Sequence, residues 1–238
     1  MTLSSLLARI GFAEKSALLT MAVAATAFYV FSELADEVSE GETRAFDEAV
    51  LLAFRNPQNL SDPLGPRWLE EMMRDFTALG SFGVLTVLTL VVIGFLVLVR
   101  KRHAALMVAG AVIGGVLASH LLKWVFDRSR PDLVPHGAFV TSQSFPSGHA
   151  MLSAVVFLTL GALLARSQEN VRLKIYFLSI AACLTVVVGI SRIYLGVHWP
   201  TDVIAGWVVG IGWALLCWLT MLWLQGRGKV EPESNNNG

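Results

Sequence analysis

Long apolar runs alternate with short polar joints along this chain, and their lengths predict an all-α protein, a bundle of six transmembrane helices. The runs extend over about Ser16 to Leu34, Phe82 to Val99, Ala104 to Phe126, His149 to Ala165, Ile175 to Tyr194 and Pro200 to Leu224. Each is close to the roughly 20 apolar residues that a helix needs to cross a bilayer core. Between Glu33 and Gly80 the chain turns polar. Two short amphipathic helices outside the bilayer core are expected there, Arg44 to Phe54 and Arg67 to Ala78, flanking a Pro-rich joint at Asn56 to Pro66. Phe46, Val50 and Phe54 share one face of the first. Met1 to Phe12 sets Leu3, Leu6, Leu7 and Ile10 at helical spacing opposite Arg9, the pattern of a helix lying on a membrane surface. The expected organisation is one membrane-embedded domain over 1–224, with an insertion at 33–80 and a disordered polar tail over 225–238.

Composition agrees with a membrane setting: 55% of the residues are hydrophobic, 15% are charged, and mean hydropathy is +0.62. Lys plus Arg and Asp plus Glu are 18 each, a balance that gives nucleic acid no support as a partner. The placement of the charges is more informative. With six spans, Arg9 and Lys15, Arg100 to Arg102, Arg166 to Lys174, and Arg227 with Lys229 all fall on one side, which the positive-inside rule makes cytoplasmic. Both termini are then cytoplasmic. The helix ends at Phe126, His149, Tyr194 and Pro200 open on the extracytoplasmic face, which is periplasmic in a Gram-negative source. No cleavage site precedes a polar mature region, so the first span is expected to be retained. Cys183 and Cys217 lie inside apolar runs and read as small hydrophobes. Gly110 and Gly114 stand at GxxxG spacing, which allows close helix contact.

Three polar clusters gather on that outer face. Lys123, Arg128 and Arg130 stand at the outer end of the third run, against the general charge bias. Ser144 to His149 reads Ser-Phe-Pro-Ser-Gly-His. Pro146 suits an early helix position, and Ser147 and Gly148 then offer backbone N–H groups to an anion, beside the titratable His149. Ser191, Arg192, His198 and Asp202 cross the last turn. If that turn is helical, His198 and Asp202 share a face, and the carboxylate holds the proton on one imidazole nitrogen. The set lacks the grouped carboxylates that hold magnesium, and its two histidines do not make a zinc site. Cations and a helix N-terminus suit phosphoryl transfer with neither metal nor cofactor.

Lys123-x6-Arg130-Pro131, Pro146-Ser147-Gly148-His149 and Ser191-Arg192-x5-His198-x3-Asp202 resemble, in order, the three-part signature of the type-2 phosphatidic acid phosphatase superfamily, the lipid phosphate phosphatases. Thr77, Leu79 and Gly80 resemble the family as well, whereas Glu33 to Asp75 carries no motif. The resemblance implies a membrane enzyme that hydrolyses a terminal phosphate or pyrophosphate of a lipid. His198 would attack phosphorus and form a phosphohistidine, Asp202 would orient it, and His149 would protonate the leaving oxygen and later activate water. Lys123, Arg130 and Arg192, with the backbone N–H groups of Ser147 and Gly148, would bind the phosphoryl oxygens. Arg128, within the variable stretch of the first motif, reads as a structural or substrate-edge cation. Soluble vanadium haloperoxidases belong to the same superfamily, and the apolar spans argue against them. A lipid transporter, or a phosphate-lipid binding protein without turnover, is the alternative, but the charges lie at one membrane face and not at midplane. Phosphatidylglycerol phosphate, phosphatidic acid, undecaprenyl pyrophosphate and lipid A phosphates are all candidate substrates.

Overall fold

A computed structural model describes residues 12–138 and 142–226. The chain forms α1 (Phe12–Glu40), α2 (Arg44–Leu52), β1 (Arg55–Asn56), β2 (Asn59–Pro63), α3 (Arg67–Leu79), α4 (Phe82–Leu98), α5 (Arg102–Val125), α6 (Gly148–Arg166), α7 (Val171–Tyr194) and α8 (Pro200–Gly226). Among the described residues, five helices are long and apolar enough to span a membrane: α1, α5, α6, α7 and α8. The expected second span is α4, only 17 residues long, which meets α3 at a 49° bend across Gly80 and Ser81. Counted with α3 as one broken span, it completes six. Ser81 caps α4 by accepting from the Val84 N–H at 3.3 Å.

The bundle centres on α6, which packs against α7 and α8, while α1 lies along α8, and α5 bridges α4 and α6. Glycines decide how closely the central pair approaches. A Cβ at Gly206 would lie 2.6 Å from the Ser147 carbonyl oxygen, and one at Gly210 would lie 2.6 Å from that of Met151. This second small-residue pair brings the backbone of α8 against the start of α6. Of the GxxxG pair in α5, only Gly114 is used that way, against Trp213; Gly110 faces open space.

Several boundaries differ from those expected from the sequence. The first helix runs on to Glu40, because Ala35 is buried against Phe145 and Ala205 and carries the helix past its apolar part. The Pro-rich joint forms a two-stranded antiparallel hairpin in which Arg55 pairs with Pro63. The face of α2 turned to the bundle bears Asp47 and Leu51, with Val50 and Phe54 beside them; Phe46 is 51% exposed. Asp47 on that face forms an ion pair with Arg128. The surface helix expected over Met1 to Phe12 falls almost wholly outside the described residues, as does the tail beyond Gly226.

Candidate active site

The reactive end of the bundle is built by two helix termini meeting in a short turn. Helix α7 stops because Gly196 adopts φ +71° and closes a Schellman motif. Its N–H donates to the Ile193 carbonyl at 2.9 Å, and the Val197 N–H donates to the Arg192 carbonyl at 3.2 Å. A Cβ at Gly196 would lie 2.6 Å from a methyl of Val134 and 2.8 Å from Arg55 Nη2, so only glycine fits. Helix α8 starts at Pro200, whose missing N–H is no loss in a first turn. Asp202, in that first turn, reaches back so that Oδ2 accepts the Trp199 N–H at 2.9 Å. His198 is caught between the two termini and is 1% exposed.

This turn fixes the tautomer of His198. Arg130 Nη1 lies 3.2 Å from His198 Nε2, and a guanidinium only donates, so Nε2 presents its lone pair and Nδ1 carries the proton. Nδ1 lies 3.3 Å from both Asp202 Oδ2 and Ser144 Oγ. The Ser144 hydroxyl in turn donates to Asp202 Oδ2 through a short bond. Burial, then the charges of Arg192, Arg130 and Lys123, push the His198 imidazolium well below its ordinary range, and His149 adds to the effect. The surroundings of His198 therefore favour its neutral form, with the free nitrogen on Arg130.

Those cations converge from three elements. Lys123, in the last turn of α5, donates to the Gln143 carbonyl at 2.6 Å. Arg130 donates to the Ser142 carbonyl at 2.8 Å and the Val197 carbonyl at 2.6 Å, and burial pushes its guanidinium below the usual value while Asp202 opposes the shift. Arg192, in the last turn of α7 and 3% exposed, donates from Nη1 to Thr77 Oγ1 at 2.9 Å. Among the described residues none of the three is paired with a carboxylate, and Arg192 Nε and Ser147 Oγ are buried without any partner. Groups in this state are costly to bury, and an anion with several acceptor oxygens satisfies them together.

Helix α6 differs in one respect from expectation. It begins at Gly148 with Ser147 as N-cap, so Pro146 lies ahead of the helix, after a cis Phe145–Pro146 bond. The Ser147 N–H donates to the Asp202 backbone carbonyl at 2.9 Å and is not available to an anion, because α8 packs so closely here. What Ser147 offers is its unpartnered hydroxyl. Gly148 places its backbone near Lys123, where an added Cβ would be 3.5 Å from Cε, and His149 follows on the first turn against Gly80.

The structural reading of Arg128 agrees with its contacts, since it forms ion pairs at 2.6 Å with both Asp202 and Asp47. Asp47 and Arg55, from the stretch without a motif, reach the site without any signal in their sequence neighbourhood. Arg55 is 3% exposed and donates to the Tyr194 carbonyl at 2.8 Å, beneath the α7–α8 turn. Thr77, the softer match, proves to hold Arg192. Ser144 and Thr201, which contact Asp202 and Asp47 respectively, stand beside residues of the motifs, and that adjacency was the only available clue.

Known proteins resemble this chain in sequence and in fold. A profile of the PAP2 superfamily matches residues 103–225. Phosphatidylglycerophosphatase B of Bacillus subtilis is 32% identical over 189 residues, covering 77% of this chain and 87% of that protein. An undecaprenyl-diphosphatase of Sulfolobus acidocaldarius is 30% identical over 135 residues, covering 55% of this chain and 58% of that one. The crystal structure of a transmembrane PAP2-type phosphatidylglycerolphosphate phosphatase from Bacillus subtilis superposes with a TM-score of 0.74 at 28% identity, over 88% of this chain and 98% of that one. With the motifs, the helix order and the matched length in agreement, the chain belongs to the PAP2 superfamily as a multi-pass membrane protein.

Proposed function

We propose that the protein is a lipid phosphatase working through a phosphohistidine on His198. His198 Nε2 attacks phosphorus, the bond from phosphorus to the lipid oxygen breaks, and His149 gives that oxygen its proton. Water then attacks the phosphohistidine and gives a proton to His149, the P–N bond breaks, and inorganic phosphate leaves. Lys123, Arg130, Arg192, the Gly148 N–H and the Ser147 hydroxyl stabilise the charge spread over the phosphoryl oxygens. The observation that carries this reading is the combination of three cations without carboxylate partners among the described residues and a His198 whose Nε2 lies against one of them, Arg130.

The reaction needs no metal on this reading, because the cations do the electrostatic work. Among the described residues no group of three or more His, Cys, Asp or Glu side chains is placed to hold an ion. The basic short loops support an extracytoplasmic site. An apolar groove of about 250 Å³ between α1, α5 and α8 is lined by Leu121 and Leu122, which precede Lys123 in the chain, and offers room for a lipid tail. The near full-length likeness to the phosphatidylglycerophosphatase of Bacillus subtilis puts phosphatidylglycerol phosphate first among the substrates, ahead of phosphatidic acid, undecaprenyl pyrophosphate and lipid A phosphates. Phosphate release from these lipids by the purified protein in detergent, with EDTA present, is the test. Turnover that persists in EDTA supports the reading; no turnover on any of them, or loss with EDTA alone, overturns it.

A further inference from the structure

Asp47 lies in α2, in a stretch for which the reaction above has no use, yet its side chain is wholly buried. Burying a carboxylate is unfavourable by several kcal/mol unless it is paired and hydrogen-bonded, so its partners indicate its purpose. Oδ2 accepts from Arg128 Nη2 at 2.6 Å and from Thr43 Oγ1 at 3.2 Å. Oδ1 accepts the Thr201 N–H at 2.9 Å, and the Thr201 hydroxyl, 2.7 Å from Oδ2 and 2.9 Å from Oδ1, gives the same carboxylate its proton. Thr201 is the second residue of α8, so Asp47 satisfies one of the free N–H groups at the start of the helix that carries Asp202.

The second Nη of Arg128 lies 2.6 Å from Asp202 Oδ1, which leaves Oδ2 to face His198. It also lies 2.8 Å from Thr201 Oγ1, and the guanidinium sits 5.8 Å from the centroid of the Trp199 ring. One guanidinium is thus divided between two buried carboxylates. Shared in this way it neutralises neither, and Asp202 keeps the negative charge that holds the Nδ1 proton of His198. Were Asp47 neutral, Arg128 would pair with Asp202 alone, Oδ2 would weaken as an acceptor, and Nε2 would become a poorer nucleophile.

From this geometry we infer that Asp47 is a positioning residue for phosphoryl transfer, acting through Arg128 and Thr201 to set the charge and placement of Asp202 and thereby the reactivity of His198. The inference rests on His198 as the nucleophile. The test uses the full chain in detergent and the lipid phosphate that the wild type turns over fastest. Asp47→Asn, which preserves shape, is expected to lower kcat on the order of tenfold while KM shifts by less than about twofold. In an Asp202→Asn background the same substitution is expected to lower kcat no further, because its route of action is already cut.

An unchanged kcat in Asp47→Asn, a loss confined to KM, or losses that multiply in the double variant would each overturn the inference. If Asp47→Asn does not fold, as judged by gel filtration, Arg128→Lys carries the same expectations, since an ammonium cannot fork between two carboxylates. A wild type inactive on every lipid phosphate overturns the phosphatase reading and this inference with it; an active wild type with an insensitive Asp47→Asn overturns the inference alone.

Discussion

The stretch from Lys123 to Asp202 and the insertion from Arg44 to Leu79 both deliver charge to one end of the bundle, and Lys123, Arg130 and Arg192 of the first are left in a different state from Asp47 of the second. In the first, among the described residues, Lys123, Arg130 and Arg192 lack carboxylates, and Ser147 Oγ and Arg192 Nε lack any partner. In the second, Asp47 is saturated by Arg128, Thr43 and Thr201, and Arg55 is pinned to the Tyr194 carbonyl. Groups proposed to meet a substrate are held partly unsatisfied, and the Asp47 carboxylate behind them is satisfied by protein; Arg55 is intermediate, since its Nε is buried without a partner among the described residues. The difference separates chemistry from support within a single cluster of charge.

The largest effect that tests this division is at the proposed nucleophile. His198→Ala is expected to lower kcat for lipid phosphate hydrolysis by about 10⁴-fold or more, with the protein still folded; retention of a tenth of the activity would move the nucleophile elsewhere. Replacement on the supporting side should act first on stability. Arg55→Met leaves the Tyr194 carbonyl without that donor under the turn and is expected to cost about 1–3 kcal/mol, read as a lower thermal midpoint in detergent. An unchanged midpoint would show that the insertion does not brace the turn.

Thr77→Val lies on the border between the two roles. It removes the acceptor for Arg192 Nη1 and is expected to lower kcat/KM several-fold, about 1 kcal/mol, by letting a phosphate-binding cation wander.

The smallest effect concerns pH. Burial and the neighbouring cations hold His198 below its ordinary pKa, so the unfolded chain takes up this proton below about pH 6.5 when the folded chain does not. The stability contribution of His198 should therefore fall as pH drops below about 6.5, until the depressed folded value is reached. The thermal midpoint of the wild type should decline more steeply across that window than that of His198→Ala. Parallel declines would mean that His198 is not held neutral.

Much of this protein could be read along the chain because a membrane makes sequence local. A span must be apolar over its own length, and for that reason α5, α6, α7 and α8 begin and end within a few residues of their hydropathic limits. Gly196 and Pro200 mark a helix stop and start by their own backbone chemistry, so the juxtaposition of His198 and Asp202 was implicit in five residues. Motif residues are spaced by such local geometry, and Lys123, Arg130, His149 and Arg192 were visible as candidates before any contact was known. The rest required the third dimension. Asp47, paired with an arginine 81 residues away, shares the inward side of α2 with Val50 and Phe54, while Phe46 of the same apolar stripe is left exposed. The Ser147 amide was taken by α8 because Gly206 lets the two backbones touch. Polar contacts between distant segments leave no periodicity in sequence, since each depends on where two chains meet and not on the spacing within either.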